Sequence, residues 1–476
     1  MTTRRDFIRS IGFGSLAVAL TPSVVASERL GRPPNIIFIM SDDHASHAIG
    51  AYGSVINKTP NIDRLAREGM RFDNCFCTNS LCAPSRAVIL TGKYGHVNGV
   101  VDNRASFDGG QQTLPKRLQE AGYRTAVVGK WHLKSAPTGF HYSNVLPGQG
   151  EYHDPVMLEN GESRKHTGYV TDIITDAALT WIKEQESSES PFFLMLHHKA
   201  PHADWEPDKK HMSLYAKEDI PLPATFDDDY ETRTAQIKNH RLHVGPKQWE
   251  LHFSNRFGAI PEGMTEPETR EWVYQRYMKD YLRCIASVDD NVGRVLDYLD
   301  ESGLSENTIV VYTSDQGFFL GDHGLYDKRF MYEHSLRMPL LMRYPGHIAP
   351  NSTSDAIVLN LDFAPTFLDC ANVPIPSDIQ GESFKRIAGG TVPEGWRTAM
   401  YYSFYEEAFG IGPHEGIRTR RHKLIHFLYG DMGWELYDLD TDPQEQQNLY
   451  GSPNHGELVE GLKGKLRSFK EKYGTT

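Results

Sequence analysis

The sequence predicts an α/β fold: a parallel sheet with helices on both faces, followed by a smaller C-terminal α+β region that carries antiparallel strands. Three observations carry that prediction. Four short apolar runs rich in β-branched residues or Phe each end in a polar cluster, the pattern of buried parallel strands. Helical patterns separate these runs, the alternation that builds a sheet covered on both sides. Composition then shifts at "PIPSDIQGESF", Pro374 to Phe384.

In chain order, "MTTRRDFIRSIGFGSLAVALTPSVVAS" has a basic start, an apolar run from Ile11 to Leu20 and small residues at Ala26 and Ser27. Residues 1–27 read as an export signal, and Arg4-Arg5 before Asp6-Phe7-Ile8 resembles a twin-arginine signal. The run is about half the roughly 20 residues a membrane helix needs, and no later segment reaches that length. The expectation is a mature chain without an integral membrane segment, periplasmic or secreted from a bacterium.

Residues 28–380 read as the catalytic domain. Strands are expected at Asn35–Met40 before "SDDH", Thr125–Val128 before "GKWH", Phe192–Leu196 before "HHKAPH" and Thr308–Tyr312 before "TSDQG". Helices are expected at Asn61–Glu68, Thr113–Ala121, Thr171–Glu184 and Tyr277–Ser302, and Pro84 suits the first turn of a helix that begins near Cys82. The polar stretch Ala203–Glu271 reads as a solvated excursion or a substrate-facing insertion. Pro339–Tyr344 is a further strand and Leu361–Val373 a helix. In residues 381–476, "GIRTRRHKLIHF" and "WELYDL" read as antiparallel strands and Glu457–Tyr473 as a closing helix; "RTRRHK", Arg418–Lys423, reads as a charged strand face.

Composition excludes several classes. The chain has 476 residues, 39% hydrophobic, enough for a large core. Its formal charge is −12, with Arg4, Arg5 and Arg9 in the leader, so the remainder lacks the broad basic face that nucleic acid requires. Five cysteines, at 75, 77, 82, 284 and 370, encode neither a zinc ribbon nor a dense disulfide framework.

In a parallel sheet the ligand crevice lies outside the carboxyl ends of the strands, and all four polar clusters fall there. Adjacent Asp42 and Asp43 repel each other unless a cation lies between them. Asp315 and the amide of Gln316 follow another strand end. Three carboxylates and an amide oxygen form a hard donor set suited to Ca²⁺ or Mg²⁺. Arg86, Lys130, His132, His202 and Lys328 fall in or near the same clusters, and around a divalent cation they would form a pocket for a small tetrahedral oxyanion.

"CAPSR" followed by "LTGKY", joined in order by "SDDH", "GKWH", "KAPH" and "SDQG", strongly resembles the formylglycine-dependent sulfatases of the alkaline-phosphatase-like superfamily. The resemblance runs from about Pro34 through "WELYDLDTDPQEQQNL". It implies a large mixed, mostly parallel sheet sandwiched by helices, with a smaller C-terminal subdomain. It implies that a separate maturation enzyme oxidises Cys82 to formylglycine, whose hydrated aldehyde supplies the nucleophile, with Pro84 and Arg86 in that enzyme's recognition signal. It implies that Asp42, Asp43, Asp315 and Gln316 hold one Ca²⁺ that also touches residue 82; many family members carry Asn at the position of Gln316. Lys130, Lys328 and His202 would neutralise the sulfuryl oxygens. His202 would protonate the departing sugar oxygen, with Lys328 as the alternative acid, and His132 would be the base that lets the carbonyl reform.

The segments "HHKAPHADWEP" and "SDQGFFLGDHGLYDKRF" look most like carbohydrate sulfatases, including those acting on N-acetylglucosamine 6-sulfate, and imply exo action on a sulfated oligosaccharide or polysaccharide. His323, His334 and Arg337 are candidates for the sugar subsite; His44 and His197 also lie close to the motifs. The alternatives are a phosphomonoester, phosphodiester or phosphonate hydrolase on the same scaffold, and a catalytically silent glycan-binding protein.

Overall fold

A computed structural model describes residues 32–430 and 432–475; the expected export signal lies outside them. Pro33–Thr476 form one compact unit. At its centre is a ten-stranded sheet with strand order Ser352–Ser354, Met70–Phe72, Leu340–Arg343, Thr308–Ser314, Asn35–Ser41, Phe192–His197, Arg124–Lys130, Tyr142–Leu146, Val156–Glu159, Glu162–Lys165. The five strands from Thr308–Ser314 to Tyr142–Leu146 are mutually parallel, and antiparallel pairs flank them on both sides. The sheet is therefore mixed and mostly parallel.

The apolar runs become strands because both faces are covered. Ile36 to Met40 are fully buried, and alternate residues face opposite layers. Phe38 meets Phe363 and Phe367 edge-on; their helix, Phe363–Cys370, packs with Cys82–Thr91 and Leu114–Glu120. A second helical group comprises Pro60–Glu68, Val170–Gln185 and Glu266–Glu301. The last of these is 36 residues long and starts eleven residues before the expected Tyr277. Thr265 and Glu268 close a capping box at its start, and its first turns are charged because they face solvent, which hid them inside the polar excursion. The rest of that excursion holds short helices at Ala235–Asn239, Pro246–His252 and Ser254–Phe257.

The C-terminal sheet is antiparallel, in the order Ala399–Phe404, His414–Thr419, His422–Phe427, Trp434–Asp438, and the helix Gly456–Tyr473 packs on it. The "RTRRHK" stretch forms the hairpin between its middle strands, yet it is not simply a charged face. Arg418 and Lys423 are buried. Both pair with Glu333, at 3.1 and 2.9 Å, and Lys423 also reaches Glu445 at 2.6 Å.

Gly129 explains how the "GKWH" strand reaches its place. Its φ is +106°, and a Cβ there would lie 1.8 Å from the His197 carbonyl oxygen. Only glycine lets the two strands approach this closely while Lys130 leaves the sheet beside His197. Gly129→Ala is expected to lower the unfolding free energy by more than about 2 kcal/mol in denaturant titration.

Candidate active site

The sheet register brings the site together. Ser41 pairs with Ser314, Met40 with His197 and Gly129 with His197, so four strand ends stop within about one residue of one another. Asp42, Asp43, Asp315, Gln316 and Lys130 therefore emerge side by side, all fully buried or nearly so.

Three of these are acids, and Asp42, Asp43 and Asp315 each offer a carboxylate oxygen within 4.8 Å of the others. Asp43 takes a left-handed conformation, φ +66°, and its backbone N–H donates to Asp315 Oδ1 at 3.2 Å. The long helix secures this loop: Tyr281 Oη donates to the Asp43 carbonyl at 2.8 Å and accepts from the Ala45 N–H at 2.9 Å. Burial pushes the Asp43 carboxyl up to about 7 against the pull of Lys328, and Asp315 adds to the rise.

Three cations face the acids. Lys328 Nζ donates to both Asp43 oxygens at 2.6 and 2.7 Å, and Lys130 Nζ contacts Asp42 Oδ2. Arg86 Nε and its NH2 group each lie 3.0 Å from Asp315 Oδ2, while its NH1 donates to the Lys130 carbonyl at 2.6 Å. Burial, with Lys199 and Lys328 adding to it, lowers the Lys130 pKa well below the usual lysine range, and Asp315 opposes the fall. Lys328 moves upward, because Asp43, Cys82 and Asp327 together outweigh its desolvation.

The donor set fits a hard divalent cation. Gln316 Oε1 is buried without a hydrogen-bond partner, beside three converging carboxylates. Such an orphan oxygen is satisfied by an oxygen-seeking ion. Among the described residues, both groupings of three possible ligands contain Asp42, and they describe one centre.

Cys82 opens the helix Cys82–Thr91, every residue of which is buried. Its Sγ lies 3.4 Å from Asp42 Oδ1. Burial pushes the thiol up to about 12, the opposite of what a cysteine nucleophile needs. The helix is held from outside: the Ala83 N–H donates to Asn103 Oδ1 at 3.1 Å, and Ser85 Oγ donates to the Asp315 carbonyl.

His202 adjoins the cysteine and His132 follows Lys130 by two residues, and the two have different tautomeric constraints. His202 Nδ1–H donates to the Ala203 carbonyl at 2.5 Å, so Nε2 faces the site, 3.8 Å from Asp43 Oδ2. Burial, then Lys130, Lys328 and Lys199, lower its pKa well below the usual imidazole range. His132 has φ +55° and an unpartnered Nδ1. Burial followed by Lys130 and Arg86 keeps it neutral.

A cavity of about 190 Å³ opens over Asp43, Cys82, His202 and Lys328. Its remaining wall comes from segments that sequence reasoning passed over and includes Asn103, Gln149, His252 at the end of its short helix, Asp327, Arg329 and Phe409. Asp327 and Arg329 flank Lys328 in sequence and share its strained turn, with φ +73° and +97°; adjacency to a motif lysine was the available signal. Lys199, inside "HHKAPH", was also passed over.

The three sugar-subsite candidates do not line this cavity. His323 is buried against Asp228 at 2.7 Å and Arg233 at 3.2 Å. His334 pairs with Asp322 at 3.3 Å. Arg337 donates to Glu333 at 2.7 Å and lies over the Phe76 ring. Each is consumed by a local partner beneath the loop, so their proximity in sequence to Lys328 misleads. His44 and His197 are likewise structural, bonded to Tyr312 Oη at 2.5 Å and the Lys130 carbonyl at 3.2 Å.

One side chain of the C-terminal sheet ties the two reactive loops together. Tyr402 Oη donates to the Arg329 carbonyl at 2.7 Å and accepts from the Ser80 N–H at 3.2 Å. These backbone groups stand next to Lys328 and two residues before Cys82, so Tyr402 sets their separation.

A family model described as "Sulfatase" matches residues 34–373, and one described as "N-sulphoglucosamine sulphohydrolase, C-terminal" matches residues 321–472. The N-acetylglucosamine-6-O-sulfatase of Bacteroides thetaiotaomicron is 44% identical to this chain, over 96% of this chain and 89% of its own length. The human N-acetylglucosamine-6-sulfatase is 29% identical, over 80% and 69%. A solved structure in complex with its substrate D-glucosamine-2-N,6-O-disulfate superposes with a TM-score of 0.89 at 42% identity, covering 94% of this chain and 99% of that one. The phosphonate monoester hydrolase of Agrobacterium radiobacter shares the fold, with a TM-score of 0.74 at 21% identity, over 92% and 96%.

Tyr402→Phe removes the acceptor for a buried N–H and the donor to a buried carbonyl. The expected loss is roughly 1–3 kcal/mol of unfolding free energy. In turnover assays kcat should fall several-fold more than KM changes, since the loops move relative to each other while the cavity wall persists.

Proposed function

The chain belongs to the sulfatase family and hydrolyses sulfate esters, and on that premise we propose that it removes the 6-O-sulfate from a glucosamine-type sugar at the end of a sulfated glycan. The observation that carries this reading is Cys82 lining a small cavity beside a cluster of three buried carboxylates and three buried cations. The sugars named for the relatives at 44% and 42% identity support the substrate class. At about 190 Å³ the cavity lies below the ~300–1,000 Å³ of drug-sized ligand sites, room for one sugar unit, so action at chain ends follows.

Asp42, Asp43, Asp315 and Gln316 would hold Ca²⁺, which would supply Lewis-acid stabilisation of the sulfuryl oxygens. Formylglycine, made from Cys82 by a separate maturation enzyme, would supply an oxygen nucleophile whose carbonyl can reform and release sulfate. The raised thiol pKa fits this assignment, because unmodified Cys82 is held protonated. Pro84 and Arg86 serve as the maturation signal, in a chain exported to the periplasm or beyond.

The chain's own residues then divide the work. Lys130 and Lys328 present ammonium groups to the oxygens on which charge develops. Arg86 braces Asp315 and the Lys130 backbone rather than reaching into the cavity. Lys328 is a poor proton donor, since its ion pair with Asp43 raises its pKa. His202 is the acid by position: Nδ1–H is held by the Ala203 carbonyl, so Nε2, beside Asp43 Oδ2, takes up a proton before passing it to the departing sugar oxygen. His132, held neutral, can accept the proton whose loss accompanies sulfate release.

Sulfate release should be measured on a panel of defined sugar sulfates, with protein co-produced with a formylglycine-generating enzyme and Cys82→Ala as the blank. Release from glucosamine 6-sulfates, absent in the variant, is expected; turnover of phosphate diesters alone would overturn the reading. His202→Ala should lower kcat on a sugar sulfate by about 10²–10⁴. It should cost far less on an activated aryl sulfate, whose leaving group needs no proton. Removing divalent ions with a chelator should abolish turnover and lower Tm, with Ca²⁺ restoring both more fully than Mg²⁺.

A further inference from the structure

A second cavity, of about 490 Å³, adjoins the catalytic one. The two share Gln149, His202, Ala203 and His252 as a common wall. His202 therefore stands between the catalytic cavity and the second. Two chain excursions build it: the loop after Tyr142–Leu146, and the polar insertion that begins at Ala203. Part of that insertion is thus substrate-facing in position.

The second cavity is acidic, whereas the lining of the first sets Asp43 and Asp327 against Lys328 and Arg329. Glu151, Asp204 and Glu206 line the second against a single ammonium, Lys199. That ammonium is already engaged, donating to the Ala203 carbonyl at 3.2 Å and lying 4.6 Å from the centre of the Tyr152 ring. Asp204 contacts His252 Nδ1. A carboxylate or sulfate entering here would face three carboxylates against one ammonium, a net repulsion. Hydroxyls of an uncharged sugar would instead find carboxylate acceptors.

Resting on the function proposed above, we propose that this cavity holds the sugar to which the sulfated residue is linked, and that it takes an uncharged hexose in preference to a uronate or a sulfated neighbour. In a reaction sequence, the enzyme then follows whichever reactions remove acidic groups from that neighbour, or acts on chains whose alternate sugars are neutral.

The test uses two disaccharides with the same 6-sulfated N-acetylglucosamine at the non-reducing end, one followed by galactose and the other by glucuronate, beside the free monosaccharide 6-sulfate. For the matured enzyme, kcat/KM should favour the galactose compound by about tenfold or more at low ionic strength. The ratio should shrink as salt screens the repulsion. Glu151→Gln combined with Glu206→Gln should narrow the ratio within the variant itself. Binding of the two desulfated disaccharides to Cys82→Ala protein, by calorimetry, should show the same order without any turnover. Equal or reversed preference, with the monosaccharide hydrolysed, overturns the neighbour site alone. Failure to hydrolyse the monosaccharide overturns the parent reading and this proposal together.

Discussion

Convergence of three buried carboxylates is the constraint on which the rest of the site depends. Asp42, Asp43 and Asp315 leave adjacent parallel strands so close together that their charges are untenable alone. The fold answers with Lys130, Lys328 and Arg86, each bonded to a different acid. A hard donor set and an oxyanion pocket are thus two sides of one charge balance. The aligned strand ends, the glycine that admits Lys130 and the tyrosine that pins the Asp43 loop all serve to hold these groups in place.

That balance also separates the titratable side chains. Lys328, paired with Asp43, is held in its charged form. His202 and His132 face cations, so burial and repulsion keep them neutral and available for proton transfer. Two lysines and two histidines that look interchangeable in the motifs are therefore separated by what each one touches.

The C-terminal sheet belongs to the same machinery. Tyr402 bridges the loops that carry Cys82 and Lys328, while Glu333 gathers Arg337, Arg418 and Lys423 under the Lys328 segment. Buried ion clusters of this kind gain little net stability, because desolvation offsets their attraction. Their geometric demand is what fits the small sheet to the large one. Arg418 and Lys423 read as surface charge in isolation, since nothing local reveals that Glu333 and Glu445 await them.

By itself the sequence determined the strands, the polar clusters at their ends and the family to which they belong. Short runs buried on both faces and the residues immediately after them are local features, and a parallel sheet has one carboxyl edge at which to place them. Tertiary structure alone decided the walls of the two cavities. Asn103, Gln149, Glu151, Glu206 and Phe409 come from loops with no periodicity to read, and the partners that withdraw His323, His334 and Arg337 from the cavity are brought by chain folding rather than by spacing. A motif encodes which atoms react; which sugar they meet depends on side chains far apart in sequence, placed by the packing of whole elements.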